Sequence, residues 1–188
     1  MIHDRVRIRA LLKREVVDPR SLLQRVASLS AETKATRWRS QNFKELREVT
    51  DACLLAYGLS EALGTDVAVV RGEIEDYDCV LRAVGDDGYQ FVGIQLKELP
   101  ASKLNSALTL ERLLGELAKH AASDANLVIR LNQEGYIPDE SLLVPESPYA
   151  EVWYLWAASP DGSNWCIHGD AKRSPRTYHF AFPSHALA

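Results

Sequence analysis

Cysteine is scarce in this chain: Cys53, Cys79 and Cys166 are the three it has. An odd, scattered set without Cys-x-x-Cys spacing excludes a disulfide framework and a thiolate zinc site, and it points to free thiols in a reducing compartment. No apolar run approaches the ~20 residues that a membrane-spanning helix needs. The opening MIHDRVRIRALLKRE is charged throughout and has no signal-peptide core. A cytoplasmic protein with no membrane partner is therefore expected. Glycine is sparse as well, and Gly58, Gly64 and Gly72 have neither dinucleotide-binding nor P-loop spacing, which argues against a glycine-cradled nucleotide. Internal repeats and low-complexity tracts are absent.

What is present is a chain of 188 residues, 46% apolar, long enough for one well-buried core. The net charge of −4 hides an asymmetry. Residues 1–48 carry 12 Lys/Arg against 6 Asp/Glu, whereas the other 140 carry 10 against 20. A basic N-terminal part beside an acidic body suits contact with phosphate at one place, and equally a solvated basic face with no partner. The acidic body argues against indiscriminate coating of nucleic acid.

Periodicity divides the chain into elements. RVRIRALL is compatible with a strand or a helix. Asp18-Pro19 reads as an N-cap followed by a first-turn proline, with Leu22, Leu23, Val26 and Leu29 at helical spacing. A long helix is expected from Asn42 to Leu63, with a stripe of Leu46, Val49, Ala52, Cys53, Ala56, Leu59 and Leu63 and a stop at Gly64. Glu45 projects near the middle of that stripe and Glu48 on its flank, a costly position for carboxylates that lack a partner. Strands follow over 67–73, 77–84 and 89–97, the last two joined by the turn sequence GDDG. Next come a helix over 106–121, a buried strand LVIRL at 127–131, and further strands at 151–158, 165–168 and 177–182. The expected fold is α/β, a mixed sheet flanked by helices in a single domain over 1–188. Within it, 1–41 form a basic helical extension, 42–131 the core and 132–188 the C-terminal strands and loops.

In the hairpin, Asp78, Gln95 and Lys97 interrupt otherwise apolar runs. Residues two apart in a strand share a face, so Gln95 and Lys97 point the same way. The turn at Asp86–Asp87 brings Asp78 opposite position 95. This DYDCVLR…VGIQLKEL pattern resembles the PD-(D/E)xK nuclease superfamily, which has the restriction-endonuclease-like fold. That family keeps an acid at the start of one strand and acid-x-Lys at the end of the next, followed by a helix and a strand. The resemblance covers roughly 42–131. It implies a core of that fold with extra C-terminal strands, and Asp78, Gln95 and Lys97 as catalytic residues completed by Glu48 or Glu45 of the upstream helix. It also implies Mg²⁺ (or Mn²⁺) on Asp78 and Gln95, and phosphodiester hydrolysis in nucleic acid. Gln95 stands where the family usually has its second acid, and the first strand lacks the family's proline. The same resemblance admits a catalytically inactive protein that binds nucleic acid or another protein. Read from the motif alone, the favoured reading is that Gln95 and Lys97 are the exposed face of a sheet, with Asp78 and Lys97 a surface ion pair of little energy.

Other groups are weaker leads. Lys34, Arg37 and Arg39 around Trp38, with Arg82 on the face of Asp78, could bind the flanking phosphates of nucleic acid. Cys166 and His168, with His179 and His185 downstream, allow a Cys/His nucleophile, although polar filling of the sheet is favoured. Lys172, Arg173 and Arg176 read as a solvated loop. The density of Trp153, Tyr154, Trp156 and Trp165 marks a core or an interface, leaving a strand-mediated homodimer open.

Overall fold

The computed structural model describes residues 2, 5–32, 44–71, 76–121, 123–132, 142–144 and 146–183. RVRIRALL resolves as helix α1 (Arg5–Leu11), with Leu11 buried and Ile8 partly so. A two-residue strand β1 (Val16–Val17) leads into α2 (Pro19–Glu32), where Asp18 caps the helix by accepting from the Ser21 N–H at 3.0 Å. Then come α3 (Lys44–Leu63), β2 (Val67–Val70), β3 (Cys79–Gly85) and β4 (Gly88–Leu99). The chain continues with α4 (Leu110–Leu117), β5 (Asn126–Leu131), β6 (Val152–Ala157), β7 (Asn164–Gly169) and β8 (Arg176–Ala181). Among the described residues no helix is long and apolar enough to cross a membrane.

The eight strands of the described residues form one mixed sheet whose spatial order is the chain order. Neighbours are antiparallel except at β4–β5 and β5–β6, which are parallel. A parallel neighbour requires a crossover, and α4 supplies the one between β4 and β5. The expected α/β class with a mixed sheet is therefore present. The crossover helix is shorter than expected: Thr109, accepting from the Arg112 N–H at 3.2 Å, caps a helix that starts at Leu110, four residues later than the apolar pattern suggested.

Alternation sorts the strand residues onto two cores. Val80, Phe91, Leu99, Leu127 and Ile129 face α1 and α4, whereas Cys79, Leu81, Ile94, Val128 and Leu155 face α2 and α3. The sheet curls around α3, which touches β2 and β3 at one end of the sheet and β7 and β8 at the other. Ala52 through Gly58 are consequently buried without interruption. This corrects the one-sided stripe: Val49 and Leu63 are exposed, while Leu54, Leu55 and Tyr57 are buried. At Gly58 the Phe180 ring of β8 occupies the space of a Cβ, 2.5 Å from where one would stand.

A second close approach shapes the hairpin. On β4 the residue before Gln95 on its own face is Gly93, and the Tyr77 ring lies 2.3 Å from the position a Cβ would take there. Tyr77 is held by its hydroxyl, which donates to Asp124 at 2.8 Å. Gly93→Ala should therefore cost about 1–3 kcal/mol through displacement of a buried ring. Urea denaturation measures this, and an unchanged midpoint would mean that Tyr77 is not seated on the strand.

Candidate functional site

The register pairs Cys79 with Ile94, and the Asp78 N–H donates to the Ile94 carbonyl at 2.9 Å. Asp78 thus lies opposite Gln95, as the turn position implied. There β3 ends, while β4 runs on to Leu99. The Asp78 carboxylate fills the gap left in the ladder: its Oδ2 accepts from the Leu96 N–H at 2.7 Å and from the Gln95 Nε2 at 2.5 Å. Its Oδ1 and the Gln95 side-chain oxygen accept no hydrogen bond among the described residues. Lys97 stands two residues further along the same face, and no ion pair joins it to Asp78 among the described residues.

The helix glutamates separate. Glu45 is exposed, contrary to the expected inward projection, because the buried part of α3 begins only at Ala52. Glu48 is half-buried. It shares the wall of a cavity of about 190 Å³ with Arg47, Asp51, Leu96, Lys97, Glu98 and Arg130. Burial, followed by the charges of Asp78, Cys53 and Glu48, pushes the Cys79 thiol well above its usual range, so that both carboxylates act on this one buried residue. Among the described residues no three His, Cys, Asp or Glu side chains are grouped closely enough to hold a metal ion.

Arg82 is not brought to Asp78. Its guanidinium lies 4.3 Å from the Tyr89 ring centroid near the hairpin tip and borders a different cleft beside Asp66 and Ala68. Lys34, Arg37, Trp38, Arg39 and His185 lie outside the described residues. Cys166 Sγ does approach His179 Nδ1 at 3.0 Å, but Cys166 is 1% exposed, which suits polar filling of the sheet rather than attack on a substrate. Lys172 is no solvated loop residue: its Nζ donates to the carbonyls of Ser147 and Tyr149 and so ties that loop to the sheet.

Sequence reasoning missed a second charged cluster. Asp51 of α3 accepts from Arg130 Nη1 of β5 at 2.8 Å, and the Arg130 guanidinium lies 4.2 Å from the Trp165 ring centroid. Glu98 accepts from Asn132 Nδ2 at 3.1 Å beside them. The available signal was the arginine inside LVIRL, because a cation within a buried strand needs a partner. Burial raises the Asp51 carboxyl to about 6, opposed by Arg130 and Arg47 and assisted by Glu98 and Glu48.

A carboxyl raised on folding stabilises the fold fully below its unfolded value, and that contribution is lost as the pH climbs through the folded one. For Asp51 the window runs from about pH 4 to 6, between its ordinary 3.8 and its raised value. Asp51→Asn keeps an oxygen for Arg130 and removes the titration. Its stability relative to wild type should therefore improve as the pH rises from about 4 to about 7. Urea unfolding at both ends of that range checks this, and a difference that does not change with pH would refute the raised carboxyl. Comparison with family models, curated proteins and solved structures gives no match to this chain.

Proposed function

We propose that this chain is a nuclease-like protein of the PD-(D/E)xK type, which hydrolyses phosphodiester bonds in nucleic acid with the help of a divalent metal ion. The observation that carries this reading is the meeting of Asp78 and Gln95 at the point where β3 ends and β4 continues, with Lys97 next on the same face. The run α3, β2, β3, β4, α4, β5, with β5 parallel to β4, supports a restriction-endonuclease-like core. The donor set supports it too. Asp78 Oδ1 and the Gln95 carbonyl oxygen are hard oxygen donors of the kind Mg²⁺ takes, and neither is engaged by another described residue. Asp78 and Gln95 would hold the ion, which when bound lowers the pKa of its water and polarises the phosphate. Lys97 supplies a cation to the charge that develops on phosphate oxygens.

A second reading has its own observation. One carboxylate and one amide are a lean set, and the Gln95 amide donates into Asp78 as part of the strand ladder. That suits a catalytically inactive relative which binds nucleic acid or protein on the same scaffold.

Cleavage assays on single- and double-stranded DNA and RNA with Mg²⁺ or Mn²⁺ separate the two. Asp78→Asn is the better variant for this purpose, since Asp78→Ala would also strip the Leu96 N–H of its acceptor, at a cost of about 1 kcal/mol. Under the first reading Asp78→Asn and Lys97→Ala each lower cutting by about 10²-fold or more, with the thermal midpoint held within a few degrees. No cutting by wild type on any substrate, together with no Mg²⁺ binding by calorimetry, overturns the first reading and favours the second.

A further inference from the structure

The two edges of the sheet are unlike. At one, β1 is two residues long and runs straight into Asp18-Pro19 and α2. At the other, β8 spans Arg176–Ala181, with His179 and Ala181 exposed. The register decides which way its main chain faces. The Phe182 N–H donates to the Ser163 carbonyl, so Phe180 and Tyr178, two and four residues back, also direct theirs at β7, opposite Trp165 and Ile167. Thr177, His179 and Ala181 therefore turn their N–H and C=O groups outward. For His179 and Ala181 those groups meet no hydrogen-bond partner among the described residues.

An open edge is a template for another strand, and proteins guard it with lysine, proline, acidic side chains or shortness. After Arg176, the run Thr-Tyr-His-Phe-Ala-Phe at 177–182 holds no Lys, Asp, Glu or Pro. Its aromatic and β-branched content and lack of formal charge favour pairing. Proline does stand at both ends, at Pro175 and Pro183. Both fall in the outward register, where proline offers no N–H. A partner strand is thus confined to the stretch between them.

We infer that β8 pairs antiparallel with β8 of a second copy of this chain, about a two-fold axis at His179. This register matches the whole proline-bounded stretch with itself, because Pro175 and Pro183 are equally spaced from His179. Thr177 then stands opposite Ala181 of the partner subunit, and His179 opposite the partner's His179, which closes about six main-chain hydrogen bonds. Tyr178, Phe180 and Phe182 belong to the α3 side. There Tyr178 comes beside the partner's Phe180, and Arg176 beside the partner's Phe182. These are an aromatic pair and a cation–aromatic pair, each made twice by the symmetry. A single strand pair covers less surface than a permanent dimer buries, so the association depends on concentration, with a Kd on the order of 10 µM.

Sedimentation equilibrium of the full chain, from well below to well above that concentration, should show monomer passing to dimer and no further. Work at pH 8 keeps imidazole neutral. Hydrogen–deuterium exchange locates the interface: the peptide 176–182 should exchange about three- to tenfold more slowly at the high concentration than at the low. Ala181→Pro removes an outward donor that β7 does not use. It should weaken association about tenfold or more and leave the thermal midpoint within a few degrees. If that variant does not fold, Ala181→Lys places a charge on the same edge, with the same loss expected. A monomer at every concentration overturns the inference. So does a dimer whose 176–182 peptide exchanges at the monomer rate, or one that the Ala181 variants leave at full strength, because another surface then holds it. Assemblies that grow beyond the dimer overturn the two-fold register.

Discussion

The burial of α3 on every side, from Ala52 to Gly58, is the constraint on which the other arrangements rest. A helix against a flat sheet hides one stripe; this one is covered by α2 on one flank and by a sheet that bends around it on the other. Six side chains in that segment are 9% exposed or less, and each large apolar one contributes about 1.5–3 kcal/mol by leaving water. The curl depends on small residues at the crossing. Gly58 lets the Phe180 ring of β8 close on the helix backbone, where a Cβ would stand 2.5 Å from that ring. Because the centre of the helix is fixed in this way, its first turns are held over the carboxyl ends of β4 and β5, where Glu48 and Asp51 meet Lys97 and Arg130.

Asp78 has a part in the fold as well as in the candidate chemistry. With β3 beginning only at Cys79, the Leu96 N–H would lack a strand partner, and the Asp78 carboxylate takes the place of the missing carbonyl. An acid at this position keeps the ladder satisfied where the hairpin opens. The same arrangement leaves Oδ1 and the Gln95 oxygen turned away from the ladder's hydrogen bonds. Structure and chemistry therefore draw on different atoms of one side chain, which explains how an opening hairpin can carry polar groups without a net loss of hydrogen bonding.

The two charged groupings lie on opposite faces of β4 and approach each other along the stretch of strand that β3 leaves uncovered. Gln95 and Lys97 belong to the face of Phe91 and Leu99, while Glu98 and, on β5, Arg130 belong to the face of α3. Lys97 nevertheless borders the cavity that contains Arg130. Under the proposed function the Asp78 and Gln95 oxygens at that strand end would hold the metal ion, with Lys97 beside them.

Much of this was legible in the sequence because it depends on local rules. Asp18-Pro19 opened a helix, GDDG closed a hairpin, LVIRL formed a buried strand, and the pairing of Asp78 with position 95 followed from counting outward from the turn. Periods of 3.6 and 2 and the preferences of turn residues are properties of short segments, so no distant partner is needed to read them. What the sequence alone could not give was the depth of burial along α3. Glu45 fell on the apolar stripe and is exposed, whereas Asp51 lay beside the stripe and became part of a half-buried ion pair, because the sheet's curl determines where the helix is covered. The meeting of Asp51, Arg130 and Trp165 joins three elements separated by long stretches of chain, and only the tertiary packing of helix on curled sheet brings them together.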